Sequence, residues 1–415
     1  MPSEISVRRG PPNDPLSAAV HTDPYSFYAG LATREPMRYD SGLGLWIAAG
    51  AAAVREVLTS QVCRVRPLAE PVPAALEGTP AGDIFARLVR MNDGPAHCPL
   101  KQAVVRTLQP VDCRRLFSAA ESWTRHLLES SFCGASGCGA LGAPGPDITF
   151  RLPIYAVGSL LGIPSDLLPQ TLLWMDDFVR CLAPGSDPGQ IERGSGAAES
   201  LSDLFRDLFR SVSRDRLWER PPGQGILREL LRTTAARGLD DPNLIVANAI
   251  GFLSQSYEAT AGLIGNTLVA LARDPVLADA VAATPELLEA VIREVSRFDP
   301  PIQNTRRFLA EDTIIAGRKL KAGDAILLVL AAANRDPAVN PDPNCFDPRR
   351  CDPVVFTFSA GAHQCPGAEM ASAISRGAVK QLLAAGVRLE ELAGNLRYRP
   401  SQNARVPLLN WQKAL

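Results

Sequence analysis

Histidine is scarce in this chain: four in 415 residues, at positions 21, 97, 126 and 363, too scattered to form a zinc site. An excess of charge of one sign is missing as well. The 43 basic and 44 acidic residues balance, so nothing points to nucleic acid or an anionic membrane as a partner. The stretch from Met1 to Pro15 has neither a signal-peptide core nor an apolar run of the roughly 20 residues needed to span a bilayer. It is polar and proline-rich, and the expected molecule is soluble, with a disordered lead over 1–15. Paired cysteines are also lacking in any obvious sense: the nine cysteines are odd in number and irregular in spacing, which argues against a disulfide framework. Cys133 and Cys138 lie close enough in a glycine-rich loop to pair under oxidation, but a reduced cytoplasm is the simpler reading.

Helical patterns make up most of the chain, and no internal repeat is found. Strand signals cluster at Met37–Ala48 and at Thr305–Leu330, where β-branched and leucine runs are broken by Gly317 and Gly323. Gly- and Pro-rich breaks fall at Cys133–Pro146 and Pro184–Gly196. The second separates two amphipathic helices, expected near Ser165–Leu182 and Ala197–Arg216. It is either a plain linker or a segment that opens and closes over a pocket. The longest helix is expected over 242–273. Asp241 is a good N-cap, Pro242 suits the first helical position, and Asp274-Pro275 ends the pattern. At 1.5 Å per residue such a helix is roughly 48 Å long. It is apolar almost all round, which implies burial through the middle of the protein.

The most informative stretch is Phe358-Ser359-Ala360-Gly361-Ala362-His363-Gln364-Cys365-Pro366-Gly367. Glycines let the backbone turn tightly beside a flat ligand. A helix beginning near Ala368 points its positive end at the Cys365 sulfur, an arrangement expected to lower the thiol pKa. The stretch resembles the heme-binding loop of the cytochrome P450 family, whose pattern is Phe-Gly-x-Gly-x-His-x-Cys-x-Gly. Only Ser359, where glycine is usual, departs from it. Glu294-Val295-Ser296-Arg297 resembles the family's Glu-x-x-Arg motif, with the two charges on one helix face. In the family a further arginine joins this pair, and Arg350 matches it. Trp46, Asn334-Arg335-Asp336-Pro337 and Arg397-Tyr398-Arg399-Pro400-Ser401 extend the resemblance over nearly the whole chain.

The resemblance implies a mostly α fold: one domain over 16–415, a large helical part with a small β-rich lobe. It implies heme b as cofactor and Cys365 as the iron ligand, with Phe358, Gly361 and Gly367 shaping the loop. His97, Lys101, Arg307 and His363 match positions that hold the heme propionates. Lys101 stands where arginine is usual, keeping the charge but losing the planar fork.

Over the heme, the family's long helix usually carries Ala/Gly-Gly-x-Asp/Glu-Thr. The matching residues are Gln255-Ser256-Tyr257-Glu258-Ala259. Glu258 keeps the acid, but the first small residue, the glycine and the threonine are replaced. Gln255, Ser256 and Ala259 share one helix face. Ala259 has no hydroxyl to order water, and Thr260, about 100° further round, is expected to point elsewhere. A substrate group could replace the missing hydroxyl, Gln255 or Ser256 could order the water, the enzyme could avoid the usual oxygen chemistry, or solvent alone could sustain ordinary hydroxylation.

The expected function is a monooxygenase acting on a small organic metabolite, free or tethered to a carrier protein, in specialised metabolism. Electrons would come from a separate ferredoxin and ferredoxin reductase, and the enzyme would be a cytoplasmic monomer. Oxidative coupling or cyclisation, dehydration, or nitrogen-group chemistry without oxygen insertion is the first alternative; a non-catalytic heme-binding protein is the second. Residues lining the pocket are expected from Cys63–Ile84 (with 67–80 a flexible loop), the two helices flanking the break, the long helix, and Ile302–Thr305. No charge among these segments names a ligand.

Overall fold

A computed structural model describes residues 10–133, 147–214, 225–392 and 396–414. Its axis is the long helix Pro242–Arg273, 32 residues with the bounds the sequence predicts. The Asp241 carboxylate accepts from Asn243 N–H at 2.9 Å, satisfying a donor that the helix start leaves free. Twenty of its residues are buried, so the helix runs through the largest apolar core rather than over it. Ile148–Leu160, Leu288–Phe298 and Ala368–Ala384 pack against it.

Among the described residues nine short strands form the β structure: β1 Met37–Asp40, β2 Leu45–Ala48, β3 Cys63–Arg64, β4 Thr305–Leu309, β5 Thr313–Ile315, β6 Arg318–Leu320, β7 Ala325–Leu328, β8 Arg397–Tyr398 and β9 Pro407–Leu408. The main sheet has the order β1-β2-β7-β4-β3, with β2 and β7 parallel and the other pairs antiparallel. Trp46 ties β2 to the turn before β7 by donating its indole N–H to Asp324 at 3.0 Å. Two smaller apolar clusters cover the faces of this sheet. A mostly helical body with a small β lobe is what the sequence reading anticipates.

The Glu294–Arg297 pair is fully buried. Its two contacts are Nη2–Oε1 at 2.6 Å and Nε–Oε2 at 2.9 Å. Arg297 also donates to the carbonyls of Asn334, Pro343 and Cys345, and Asp347 N–H donates to Glu294 Oε1 at 2.9 Å. Arg350 Nε lies 3.7 Å from the same oxygen, the place expected of it. The network joins the helix Leu288–Phe298 to the chain leading into the Cys365 loop.

One expected break is far shorter than its composition suggests. The flanking helices are Leu168–Cys181 and Pro188–Arg214, so Gly189, Gly194 and Gly196 lie inside a helix. Asp187 and Gln190 explain the start, each side chain accepting the other's backbone N–H at 2.9 and 3.0 Å. Gly194 is there for close packing: a Cβ would stand 2.2 Å from that of Cys181 on the neighbouring helix. Pro15, at the edge of the expected lead, opens a short helix capped by Asp14. Beyond the helix end at Cys133, the other break lies outside the described residues, and the Cys133–Cys138 pairing with it.

Candidate active site

Cys365 closes a turn that begins at Phe358. Its N–H donates to Phe358 O at 2.8 Å. Gly361 reverses the chain with φ +66°, where a Cβ would come within 3.0 Å of Leu58 O. Gly367 precedes the helix Ala368–Ala384 and donates its N–H to the Cys365 sulfur. Burial raises the thiol pKa, and the Gly367 N–H and the Lys101 charge oppose this without cancelling it. The lowered thiol pKa expected from the sequence is therefore not found, because desolvation outweighs the helix start.

Ser359, the one departure in this loop, adopts φ +63°, and its hydroxyl is buried without a hydrogen-bond partner among the described residues. Left-handed backbone costs an L-residue about 1–2 kcal/mol. Ser359→Gly is expected to raise the thermal unfolding midpoint, with a net gain of about 1 kcal/mol after the greater unfolded-state entropy of glycine. A lower midpoint would mean that the hydroxyl contributes more than the backbone strain costs.

The thiol opens into a cavity of about 2330 Å³. The central helix lines it at Gln255, Ser256, Glu258, Ala259 and Thr260; Thr260 thus borders the space that the sequence reading directs it away from. Gln255 Nε2 donates to Gly251 O at 2.9 Å and Ser256 Oγ to Leu253 O at 2.8 Å, so both side chains are turned back on their own helix. The remaining wall comes from Ile302–Thr305, from the two helices flanking 182–187, and from Phe85, Val89, Arg90 and Met91. Cys63–Ile84 contribute nothing to the lining, contrary to expectation. That segment precedes the turn that reaches the cavity.

Glu258 sits at the centre of a charge cluster. Its Oε1 lies 3.5 Å from Arg399 Nε, and Arg399 also holds Asp176 at 2.9 Å. Asp176 in turn accepts from Tyr257 Oη at 2.8 Å and pairs with Arg180 at 2.8 Å. Burial raises the Glu258 pKa against the lowering effect of Arg399, and Asp176 adds to the rise. Sequence reasoning missed this cluster, since Asp176, Glu258 and Arg399 are far apart in the chain. It also missed Arg90, a single cation within the apolar run Leu88–Met91.

Three of the proposed propionate residues come together beside Cys365. The His97 and His363 rings lie 4.3 Å apart, and Lys101 Nζ donates to Gln364 O at 2.6 Å. His363 is held by Asp93 at 3.0 Å. His97 Nε2 is buried without a partner among the described residues. Burial, followed by the charges of His363 and Lys101, pushes the His97 pKa down to about 4. A donor group left so unsatisfied suits an acidic ligand, and heme propionates fit it. Arg307 stands apart, 5 % exposed, donating to Thr305 Oγ1 and Arg306 O. Strand alternation turns neighbouring residues to opposite faces, and Arg306 is the one that borders the cavity.

Comparison with known proteins agrees with this geometry. The family profile described as Cytochrome P450 matches residues 283–385, which include the Glu294–Arg297 pair and the Cys365 loop. The chain is 29% identical over 407 residues to "Cytochrome P450 monooxygenase PikC" of Streptomyces venezuelae, covering 95% of this chain and 90% of that protein. The crystal structure of CalO2 is 28% identical, with a TM-score of 0.81 and coverage of 95% of this chain and 97% of that one. P450BioI, solved in complex with an acyl carrier protein bearing hexadec-9Z-enoic acid, is 22% identical, with a TM-score of 0.78 and coverage of 93% and 97%. With sequence similarity along nearly the full length, a family match over residues 283–385 and a shared fold, the chain is similar to proteins of the cytochrome P450 family, whose members are oxidoreductases of the monooxygenase type with heme b as cofactor.

Proposed function

We propose that the protein is a heme-thiolate monooxygenase that oxidises a small organic metabolite in a specialised pathway, using electrons from a separate ferredoxin and its reductase. The observation that carries this reading is the Cys365 thiol, open to a large cavity whose wall includes the oxygen-side segment of the central helix. Bound heme b supplies the dioxygen-activating chemistry, with a thiolate donating electron density from the Cys365 side. The chain's own residues do the rest. Gly367 N–H steadies the sulfur, and His97, Lys101 and His363 would hold the propionates. Glu258, with its raised pKa, is suited to hold and release a proton beside the substrate. No membrane-spanning helix is found among the described residues. P450BioI, solved with an acyl carrier protein, supports offering candidate substrates in both free and carrier-bound form.

A second reading, oxidation without oxygen insertion, is favoured by one feature. Ala259 brings no hydroxyl, and Gln255 and Ser256 spend their polar groups on helix carbonyls. Turnover under isotopically labelled dioxygen separates the two. Label in the product supports the monooxygenase, and an oxidised product without label supports the alternative. Ala259→Thr restores the missing hydroxyl. It is expected to raise the fraction of electrons recovered in product by about tenfold at most, below the roughly 10²–10⁴ of a fully positioned proton donor. Less product, or a different one, would count against ordinary oxygen insertion.

A further inference from the structure

Arg90 is placed with unusual firmness for a residue with nothing to hold. It occupies the short 3₁₀ turn Val89–Met91. Buried Asn248 of the central helix grips the backbone on both sides of Leu88, accepting from Val89 N–H at 2.8 Å and donating to Arg87 O at 2.9 Å. Asn92 fastens the other end by donating to Leu88 O at 2.8 Å and Ala86 O at 3.0 Å, and is itself held by Arg66 at 2.9 Å. The guanidinium that this turn presents has no hydrogen bond or ion pair among the described residues. It is accessible, but to the cavity: Arg90 lines the same space as Cys365 and Ala259.

The charges nearby do not cancel. Arg399 and Arg180 are matched by Asp176 and Glu258 through direct contacts. Asp177 is taken by Arg193 at 3.7 Å. Arg90 is left over beside this cluster; Lys101 and Arg306, which also border the cavity, donate to Gln364 O and Gln402 Oε1, whereas Arg90 has no such contact among the described residues. Desolvation lowers its pKa, and Glu258 acts on it only at a distance. An unpaired cation held in low dielectric is costly, and an anion of matching shape removes the cost. A planar fork presented on a rigid turn suits a carboxylate, which can accept two parallel hydrogen bonds. One guanidinium without a contact partner suits one carboxylate.

We propose that Arg90 is the anchor for a carboxylate on the substrate, so that the molecule oxidised here is an organic acid held by its charged end in the Cys365 cavity. This rests on the reading of the cavity as the substrate chamber of a heme-thiolate monooxygenase.

The test uses probes that bind iron whatever the native substrate is: ω-(imidazol-1-yl)alkanoic acids in a ladder of chain lengths, each paired with its primary amide. Nitrogen ligation shifts the heme spectrum of the holoenzyme and reports affinity. At the chain length that spans iron and Arg90, the acid is expected to bind at least about tenfold tighter than its amide. Arg90→Gln should abolish that difference while the amides bind as before. Arg90→Lys, which keeps the charge without the fork, should retain part of it. Equal binding of acid and amide at every length, or a preference that survives in Arg90→Gln, overturns the anchor alone. No spectral shift with any probe in the wild type instead overturns the heme-thiolate reading on which the anchor stands.

Discussion

Cys365→Ala is expected to fold and to lose the thiolate signature completely. The side chain opens into the cavity instead of packing in a core, so its removal leaves no internal void of the kind that destabilises buried large-to-small variants. The loop is shaped by other bonds: Cys365 N–H to Phe358 O, the Gly361 reversal, and the helix that follows Gly367. What disappears is the sulfur that Gly367 N–H points at. Circular dichroism should therefore match the wild type, heme retention should fall, and the reduced carbon-monoxide complex should lack the thiolate-type band. A variant that keeps that band would show that another residue binds the iron. Turnover should fall to background in parallel, since Cys365 is the residue that would hold the heme iron and its sulfur would supply the electron donation.

Glu294→Ala is expected to be the most destabilising single change. Arg297 is 0 % exposed and Glu294 1 %, and the pair is bidentate. Removing the acid strands a guanidinium in the core, and breaking such a buried pair typically costs about 3–5 kcal/mol. Arg297 keeps its three carbonyl acceptors, but these do not neutralise its charge. Asp347 N–H and Arg350 lose the same carboxylate, so the damage reaches the segment before the heme loop. The measurable outcome is a large drop in soluble, heme-loaded protein and in the unfolding midpoint. An unfolding midpoint close to the wild type would mean that the network is dispensable and that the fold is held elsewhere.

The features legible in the sequence are those with local causes. The bounds of the central helix are legible because Asp241-Pro242 and Asp274-Pro275 are start and stop signals written in adjacent residues. The Cys365 loop and the Glu294–Arg297 pair were visible for the same reason, being short motifs at fixed spacing. The helix from Pro188 was hidden because its glycines look like breaks. Gly194 is tolerated there because Cys181 of another helix needs the room, a fact no local window contains. The Glu258–Arg399–Asp176 cluster joins residues more than a hundred positions apart in places, and ion pairs of that range leave no spacing signal. Arg90 was overlooked because one arginine among Leu88, Val89 and Met91 reads as a surface interruption of an apolar run. Only the turn fixed by Asn248 shows that it faces inward to a cavity.

The account stands on Cys365 as a thiolate ligand to heme in the cavity beneath the central helix. The most direct measurement is the absorption spectrum of the purified wild-type holoprotein, reduced and saturated with carbon monoxide. The account predicts the long-wavelength band that marks a thiolate-ligated heme. A band typical of imidazole-ligated heme, or a protein that takes up no heme b at all, would contradict it.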